Sequence, residues 1–284
     1  MFNMPEMIRI PVGKKVDALM DWFIQHFGVI FDAIGYWLLQ LLYRIEQLFL
    51  WVPWWAVVIA VGVIAYCVLP RRRHAAVLVA MLLLINSFGL WDLAMMTLAL
   101  VSGAVMLSLA VGLPTGIAMA RSDRFQSILQ PMLDGMQTMP SFVYLIPALM
   151  LFGLGKVPAL FATLIYAIPP VIRLTNVAIR EVPVSAVEAA RSFGASYWQT
   201  LFKVQLPLAR PTIMVGINQT TMMALAMVVV ASMIGARGLG LEVLLAINRI
   251  EIGRGFEAGI SIVFLAIIID RITNAMATRK AAAS

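Results

Sequence analysis

Long apolar runs, separated by short polar stretches, dominate the chain. An α-helix needs roughly 20 apolar residues to cross a hydrocarbon core, and seven runs approach that length. None of them shows the two-residue alternation of a transmembrane β-strand. The pattern therefore predicts an all-α integral membrane protein, a polytopic bundle of about seven transmembrane helices. The expected spans are residues 54–69, 75–90, 94–119, 138–154, 157–179, 212–234 and 257–273.

Residues 16–50 follow a different pattern. Apolar residues recur there at helical spacing, but charged residues such as Asp21, Asp32 and Glu46 interrupt them. This amphipathic pattern predicts a helical segment that lies along the membrane interface or packs on the bundle. A tilted span over residues 22–42 is the alternative.

Two units follow from these patterns: an N-terminal amphipathic segment, residues 1–50, and a transmembrane domain, residues 51–284. Met1 to Lys15 lacks the charged start, apolar middle and cleavage site of a signal peptide, so we expect the N-terminal segment to be retained.

Composition and charge agree with a membrane protein. Hydrophobic residues make up 62% of the chain and charged residues only 12%, about half the charged share of soluble proteins. The net charge is +7, and basic residues in a polytopic protein mark cytoplasmic loops. Arg71–Arg73, Arg121 and Arg124 therefore predict a cytoplasmic C-terminus and an outside N-terminus. We expect membrane lipid to surround the helices, and we expect no nucleic-acid partner.

No pattern supports catalysis within this chain. The sequence has no Gly-x-x-x-x-Gly-Lys-Ser/Thr phosphate loop, no His-Glu-x-x-His and no His/Cys cluster with ligand spacing. It contains one cysteine and two histidines. We therefore expect no catalytic residue, metal or cofactor here, and any ATP used must be bound by another chain.

The polar segment, residues 183–211, stands out within the apolar chain. Ser185 and Glu188 fit a Ser-x-x-Glu capping box, in which each side chain satisfies a backbone N–H of the first helical turn. Gly194 follows where that helix would end, and glycine adopts the left-handed C-cap conformation without a Cβ penalty. The spacing predicts a short helix that ends in a sharp bend.

The same pattern repeats in the second half of the polar segment. Ser196 and Gln199 fit another capping box, and Pro207 and Pro211 are expected to limit the second helix. The sequence thus predicts two short helices outside the membrane, followed by a return into it.

Prolines and polar residues also occur within the predicted spans. Prolines free backbone carbonyls, which is tolerated where those groups face protein or a water-filled route. Residues 138–170 thus either line a pathway or contain packing kinks. Polar side chains at 218–221 are expected to face the bundle or a cavity. A short Trp91-Asp92 turn is expected between two spans, and Leu241–Ile250 is expected to form a re-entrant or surface helix.

The polar segment resembles the cytoplasmic signature of permease subunits of ABC importers. Glu188-Ala189-Ala190, Gly194 and Leu206-Pro207 reproduce the pattern Glu-Ala-Ala, Gly, Leu-Pro. Further runs are similar to permeases of glycine betaine, proline betaine and choline uptake systems, over roughly residues 90–275. These runs are Asp134 to Pro147, Arg191 to Ser196, Phe202 to Pro207 and Asn218 to Thr220.

The resemblance implies a type I ABC importer permease fold in the bacterial inner membrane. It implies that residues 183–207 form coupling helices that insert into a groove on an ATPase. The implied partners are a second permease copy, a cytoplasmic ATPase dimer that binds ATP and Mg, and an extracytoplasmic substrate-binding protein. The chain itself would be the membrane subunit rather than the enzyme.

Individual roles within this scheme remain open between two interpretations. Glu188 either caps its own helix alone or also contacts the ATPase. Aromatic rings can hold a methylated ammonium by cation–π contact, so Phe142, Tyr144 and Tyr166 are candidates for the pathway, with packing or interfacial anchoring as the alternative. Asn218 and Gln219 complete the candidate pathway set.

Two rival functions are an ion-coupled secondary carrier and an osmotically gated channel. A carrier would be expected to place acidic residues inside the membrane, yet such residues are scarce in the spans apart from Asp92 and Asp270, which we place at boundaries. A channel would not require a capped cytoplasmic element. Glycine betaine, choline, carnitine and proline betaine all remain possible substrates.

Overall fold

A computed structural model of the chain describes residues 12–69 and 71–281, within which it folds into α-helices joined by short connections. Most of the stretch examined for a signal peptide lies outside the described residues. A 3₁₀ turn at Ser141–Tyr144 precedes α6, and a π-helix at Leu201–Gln205 joins α10 to α11. The helices are α1 (Val12–Trp51), α2 (Trp54–Val68), α3 (Arg72–Ser87), α4 (Trp91–Arg121), α5 (Asp123–Thr138), α6 (Leu145–Phe152), α7 (Lys156–Ala167), α8 (Pro169–Arg180), α9 (Val184–Ser192), α10 (Tyr197–Thr200), α11 (Leu206–Ser232), α12 (Leu239–Arg249) and α13 (Ile252–Ala281).

The prediction of an all-α, polytopic membrane protein is confirmed. Among the described residues, five helical stretches are long and apolar enough to cross a membrane, and α5 with the 141–152 helix makes a sixth if this pair, bent by 111°, counts as one span. The predicted spans at 54–69 and 75–90 correspond to α2 and α3, which have only 15 and 16 residues. These two helices pack on each other through Ala65, Leu78 and Leu82. The five stretches are Gly13–Trp51, Trp91–Arg121, Lys156–Arg180, Tyr197–Ser232 and Ile252–Ala275.

The amphipathic N-terminal segment forms one helix, α1, of 40 residues. At 1.5 Å per residue it is about 60 Å long, roughly twice the thickness of a hydrocarbon core. Its second half packs on the bundle, where Leu42 is buried and the rings of Phe31 and Phe152 lie 6.0 Å apart. The residues before Phe31 are largely exposed.

The centre of the bundle is built from α4, α7, α8 and α11, which approach one another at glycines. A Cβ atom on Gly116 would lie 2.6 Å from the Cβ of Thr175 and 2.8 Å from the carbonyl of Ile172. Gly112 likewise faces Val171 without room for a side chain. Small residues of this kind allow membrane helices to pack closely.

One end of the bundle is closed by two contacting loops. Gly155 N–H donates to the carbonyl of Ile234 over 2.8 Å. A Cβ on Gly235, whose φ is +102°, would lie 3.2 Å from the backbone of Gly155, so a side chain at Gly235 would crowd the other loop. Beside this contact, Lys156 Nζ lies 2.5 Å from the Glu46 carboxylate, which joins α1 to α7.

Two local predictions need correction or refinement. The turn predicted at Trp91-Asp92 lies instead before α4, where Gly89 adopts φ +71° and frees Trp91 to begin the helix. The helix predicted at Leu241–Ile250 is present as α12, but one of its faces is buried through Leu239 and Ala246.

Candidate functional site

The bend in the polar segment is formed as the sequence predicts. Gly194 has a φ of +81°, in the left-handed region that favours glycine. Its N–H donates to Arg191, and the N–H of Ala195 donates to the carbonyl of Ala190. This pair of bonds is the Schellman motif, which satisfies carbonyls that the end of α9 would otherwise leave unpaired.

Of the two predicted capping boxes, the second is confirmed and the first is wrong. Ser196 accepts from Gln199 N–H, and Gln199 Oε1 accepts from Ser196 N–H over 2.8 Å. At the first, the N-cap is Pro183, two residues before Ser185, and α9 has no side-chain capping bond. Ser185 therefore lies inside the helix, where its hydroxyl cannot reach the N–H groups of the first turn.

The failure of the first box changes the interpretation of Glu188. Its side chain is exposed and does not cap α9. The capping role in both interpretations of Glu188 is therefore wrong, and its contact with an ATPase stays a prediction.

The predicted limit on the second helix is also wrong. The chain continues from α10 through the π-helix into α11 as one stretch, Tyr197–Ser232. Pro207 lies at the start of α11, just after the π-helix at Leu201–Gln205, and because it has no N–H it cannot donate to the preceding turn. Pro211 lies inside α11, whose neighbouring residues Ala209 and Ile213 are buried and hold the helix against the bundle.

The polar segment has a buried base and an exposed tip. Leu201 and Ala209 pack against Ile179 and Val182 at the base. At the tip, Phe193 is 91% exposed. On the short helix before Phe193, Glu188 and Ala189 are exposed and Ala190 is half-buried. At the C-terminal end of the segment, Leu206 is half-buried and Pro207 is exposed. An exposed aromatic ring on a rigid base suits contact with another protein.

The candidate pathway residues fall into two places. The rings of Tyr144 and Tyr166 meet edge to face with centroids 6.1 Å apart, and the Tyr144 hydroxyl donates to the carbonyl of Met136. Phe142 is 54% exposed on the adjoining 3₁₀ turn.

Asn218 and Gln219 lie on α11 instead. Asn218 donates to the carboxylate of Asp270 on α13 over 2.7 Å, and Asn274 donates to the same oxygen. Gln219 is exposed. Asp270 thus accepts hydrogen bonds from two amides, and its placement at a membrane boundary stays a prediction.

Charge pairs between α5 and α8 were not found by sequence reasoning. Asp134 pairs with Arg173, and Asp123 lies 2.7 Å from Arg180. The aspartates are eleven residues apart and the arginines seven, and both spacings return to the same face of a helix. Matching charges at these spacings would have been the signal for two helices that pair.

Arg180 and Arg173 make further contacts, or lack them, where α8 packs on its neighbours. Arg180 also donates to Asn176 and to the carbonyl of Met119. The buried Nε of Arg173 has no hydrogen-bond partner among the described residues.

Together, a polytopic helical bundle and a rigid, exposed helical element between two of its spans define the class of transporter permeases. Residues 112–281 match the family described as binding-protein-dependent transport system inner membrane component, and the chain belongs to this family.

Three curated relatives are similar over most of the chain. The glycine betaine/proline betaine transport system permease protein ProW of Escherichia coli is 48% identical, over 94% of this chain and 75% of ProW. The glycine betaine/carnitine transport permease protein GbuB of Listeria monocytogenes is 45% identical, over 96% of this chain and 97% of GbuB. The glycine betaine transport system permease protein OpuAB of Bacillus subtilis is 43% identical, over 98% of both chains.

A solved structure shares the fold. Inward-facing conformations of the MetNI methionine ABC transporter match with a TM-score of 0.58 and 20% identity. The match covers 65% of this chain and 92% of that one. At this identity the likeness shows the fold alone.

Proposed function

We propose that the chain is the membrane-spanning permease subunit of an ATP-driven importer for glycine betaine and related quaternary ammonium solutes. The polar segment carries the proposal, because its bend, exposed tip and buried base fit a docking element. The names of ProW, GbuB and OpuAB, which refer to glycine betaine, proline betaine and carnitine, support the substrate class.

The proposed assembly contains two copies of this chain, a cytoplasmic ATPase dimer and an extracytoplasmic substrate-binding protein. ATP and Mg would be bound by the ATPase, so this chain carries no catalytic residue or cofactor. Lipid of a bacterial inner membrane would surround the bundle. Following the positive-inside rule, the polar segment and the C-terminus would face the cytoplasm.

In this assembly the tip of the polar segment meets the ATPase. Glu188, Ala189 and Ala190 would lie in its groove, where small side chains permit close approach. Gly194 sets the angle between α9 and α10. Leu206 and Pro207 begin the continuous helix α11, so a displacement of the tip is transmitted into the membrane rather than absorbed by a loop.

The solute would pass by alternating access between the two bundles. We place Phe142, Tyr144 and Tyr166 along that route, where aromatic faces can meet a methylated ammonium. Asn218 and Gln219 would line it from α11. The exposure of Phe142 and the ring contact of the two tyrosines support this placement.

Reconstitution tests the proposal directly. The permease, its cognate ATPase and its binding protein are placed in proteoliposomes, and uptake of labelled glycine betaine is measured. We expect uptake that requires ATP and the binding protein and stops with an ATPase variant unable to hydrolyse ATP. Uptake driven by an ion gradient without hydrolysis would indicate a secondary carrier. Uptake that needs neither would indicate a channel.

A further inference from the structure

We propose that a groove between the end of α4 and the start of the Tyr197–Ser232 helix binds one membrane phospholipid. The groove has a volume of about 510 Å³ and lies between Pro114, Ile117 and Arg121 on one side and Tyr197, Trp198 and Phe202 on the other. Its floor is apolar and its end is cationic. The proposal depends only on the chain being embedded in a membrane, not on the solute transported.

The apolar part of the groove presents two large aromatic side chains that are more than half exposed. Trp198 is 58% exposed and Phe202 is 59% exposed. Their rings stack with centroids 5.9 Å apart. The π-helix at Leu201–Gln205 contains Phe202, and such irregular turns are frequent at functional sites. An acyl chain that lies against these rings would cover apolar surface that water or headgroups would otherwise contact.

The cationic end is Arg121, the last residue of α4. Its guanidinium carbon lies 4.8 Å from the centre of the Tyr197 ring, which holds it over the groove. No described carboxylate pairs with Arg121. Its fork of N–H donors is therefore available to a phosphate oxygen.

The depth of the groove fits a lipid that stands in the bilayer. From Arg121 to Pro114 the groove follows about 10 Å of α4 at 1.5 Å per residue. Arg121 is the last residue of the apolar helix Trp91–Arg121, so in this proposal its side chain meets the headgroup and Pro114 meets the acyl chains. Trp and Tyr are enriched at this level of membrane proteins.

Photolabelling tests the site. The full permease is reconstituted in vesicles of phosphatidylethanolamine and phosphatidylglycerol with a trace of phosphatidylglycerol that carries a photoreactive acyl chain. After illumination, labelled peptides are mapped by mass spectrometry. We expect labelling concentrated on 197–202 and 113–121. Labelling spread evenly over the exposed faces of α2, α3 and α13 would overturn the proposal.

Variants separate the two halves of the site. Phe202→Ala removes an exposed ring and is expected to lower labelling of the groove. Arg121→Gln removes the phosphate partner and is expected to lower it about tenfold, the scale of one charge-assisted contact. Trp37→Ala removes an exposed ring from α1 and is expected to leave labelling of the groove unchanged. Unchanged labelling in both groove variants, with thermal stability retained, would overturn the proposal.

A second copy of the chain is the competing occupant. Ala118→Cys places a thiol in the groove, and oxidation in vesicles then reports on contact between copies. Because Cys67 is exposed, the variant is made with Cys67→Ser, and we expect it to give no disulfide-linked dimer. Efficient dimer formation through Cys at this position would assign the groove to the permease interface and overturn the lipid site.

Discussion

Lys156 on α7 and Glu46 on α1 form an ion pair, although the two residues are 110 positions apart in the chain. The Nζ–Oε2 distance is 2.5 Å, and the two side chains are 27% and 11% exposed. Lys156 directly follows Gly155, which bonds to the loop after α11. The pair therefore attaches α1 to the point where α7 and α11 meet.

Removing one member of this pair is expected to destabilise the protein. Glu46→Gln would leave a partly buried ammonium without a counter-charge, at a cost of about 1–3 kcal/mol. Lys156→Met should cost a similar amount, and the double variant less than the sum. Thermal unfolding of the purified permease measures the effect. The control is Glu251→Gln, because Glu251 lies 3.7 Å from Arg254 in an exposed pair. Equal losses in the control would show that the Glu46 pair has no special role.

The two serines of the predicted capping boxes are expected to differ in their contribution to stability. Ser196→Ala removes an observed cap of α10 and should cost about 1 kcal/mol. Ser185→Ala should be neutral, because Ser185 caps nothing and alanine favours a helix interior. Hydrogen exchange of the amides at 197–201, compared with those of α9, reports each change. Greater loss of protection in the Ser185 variant would contradict the observed helix start at Val184.

Gly194 tests the functional importance of the bend. A Cβ at this position would meet no described atom within 4 Å, so substitution acts through the backbone alone. Gly194→Val places a β-branched residue at φ +81°, which costs roughly 1–2 kcal/mol or shifts the bend. We expect normal membrane insertion but lost ATPase association or coupled uptake.

The matched control for Gly194 is Gly259→Ala. Gly259 is helical and also has open space around its Cβ position, so uptake should be unchanged. If Gly194→Val transports at the normal rate, the docking role of the polar segment is wrong.

The paired aspartates of α5 allow a comparison within one helix. Asp123 is 89% exposed in its pair with Arg180, whereas Asp134 is 54% exposed and pairs with Arg173 inside the span. Asp123→Asn should change stability by less than about 1 kcal/mol. Asp134→Asn leaves Arg173, whose Nε already lacks a described partner, without a carboxylate, and should cost about 1–2 kcal/mol.

Thermal unfolding of both variants measures this difference, and the distance between spin labels on α5 and α8 shows whether α5 moves. α5 buries one described side chain, Leu133, so we expect these pairs to contribute much of its attachment to the bundle. A larger effect at Asp123 would contradict this account.

Features that depend on neighbouring residues could be predicted from the sequence, whereas features that depend on packing between distant residues could not. Apolar runs and the Gly194 bend are local features, and both were predicted. The first capping box failed because Pro183 supplies an alternative start whose carbonyl accepts the first turn's N–H groups. The predicted stop at Pro207 and Pro211 failed because packing of α11 against the bundle outweighs the local preference of proline.

Contacts distant in sequence were the main omission. Nothing near Asp270 in the chain indicates that Asn218, 52 residues earlier, bonds to it. The pairing of Asp134 with Arg173 likewise needs the fold, although the regular spacing of charges on α5 and α8 was visible. The two tyrosines named as pathway candidates do meet, although they are 22 residues apart in the chain.

The stretch Tyr197–Ser232 has 36 residues without a break, which makes it a lever about 54 Å long. If it pivots by about 10° at the Tyr197 end, its far end moves by roughly 9 Å over that length. That end lies two residues before Ile234, whose carbonyl accepts from Gly155. A small rotation at one end of this helix would therefore displace the other end by almost a helix diameter. The backbone at Gly155 and Gly235, where the two loops meet, would have to change conformation to accommodate that displacement.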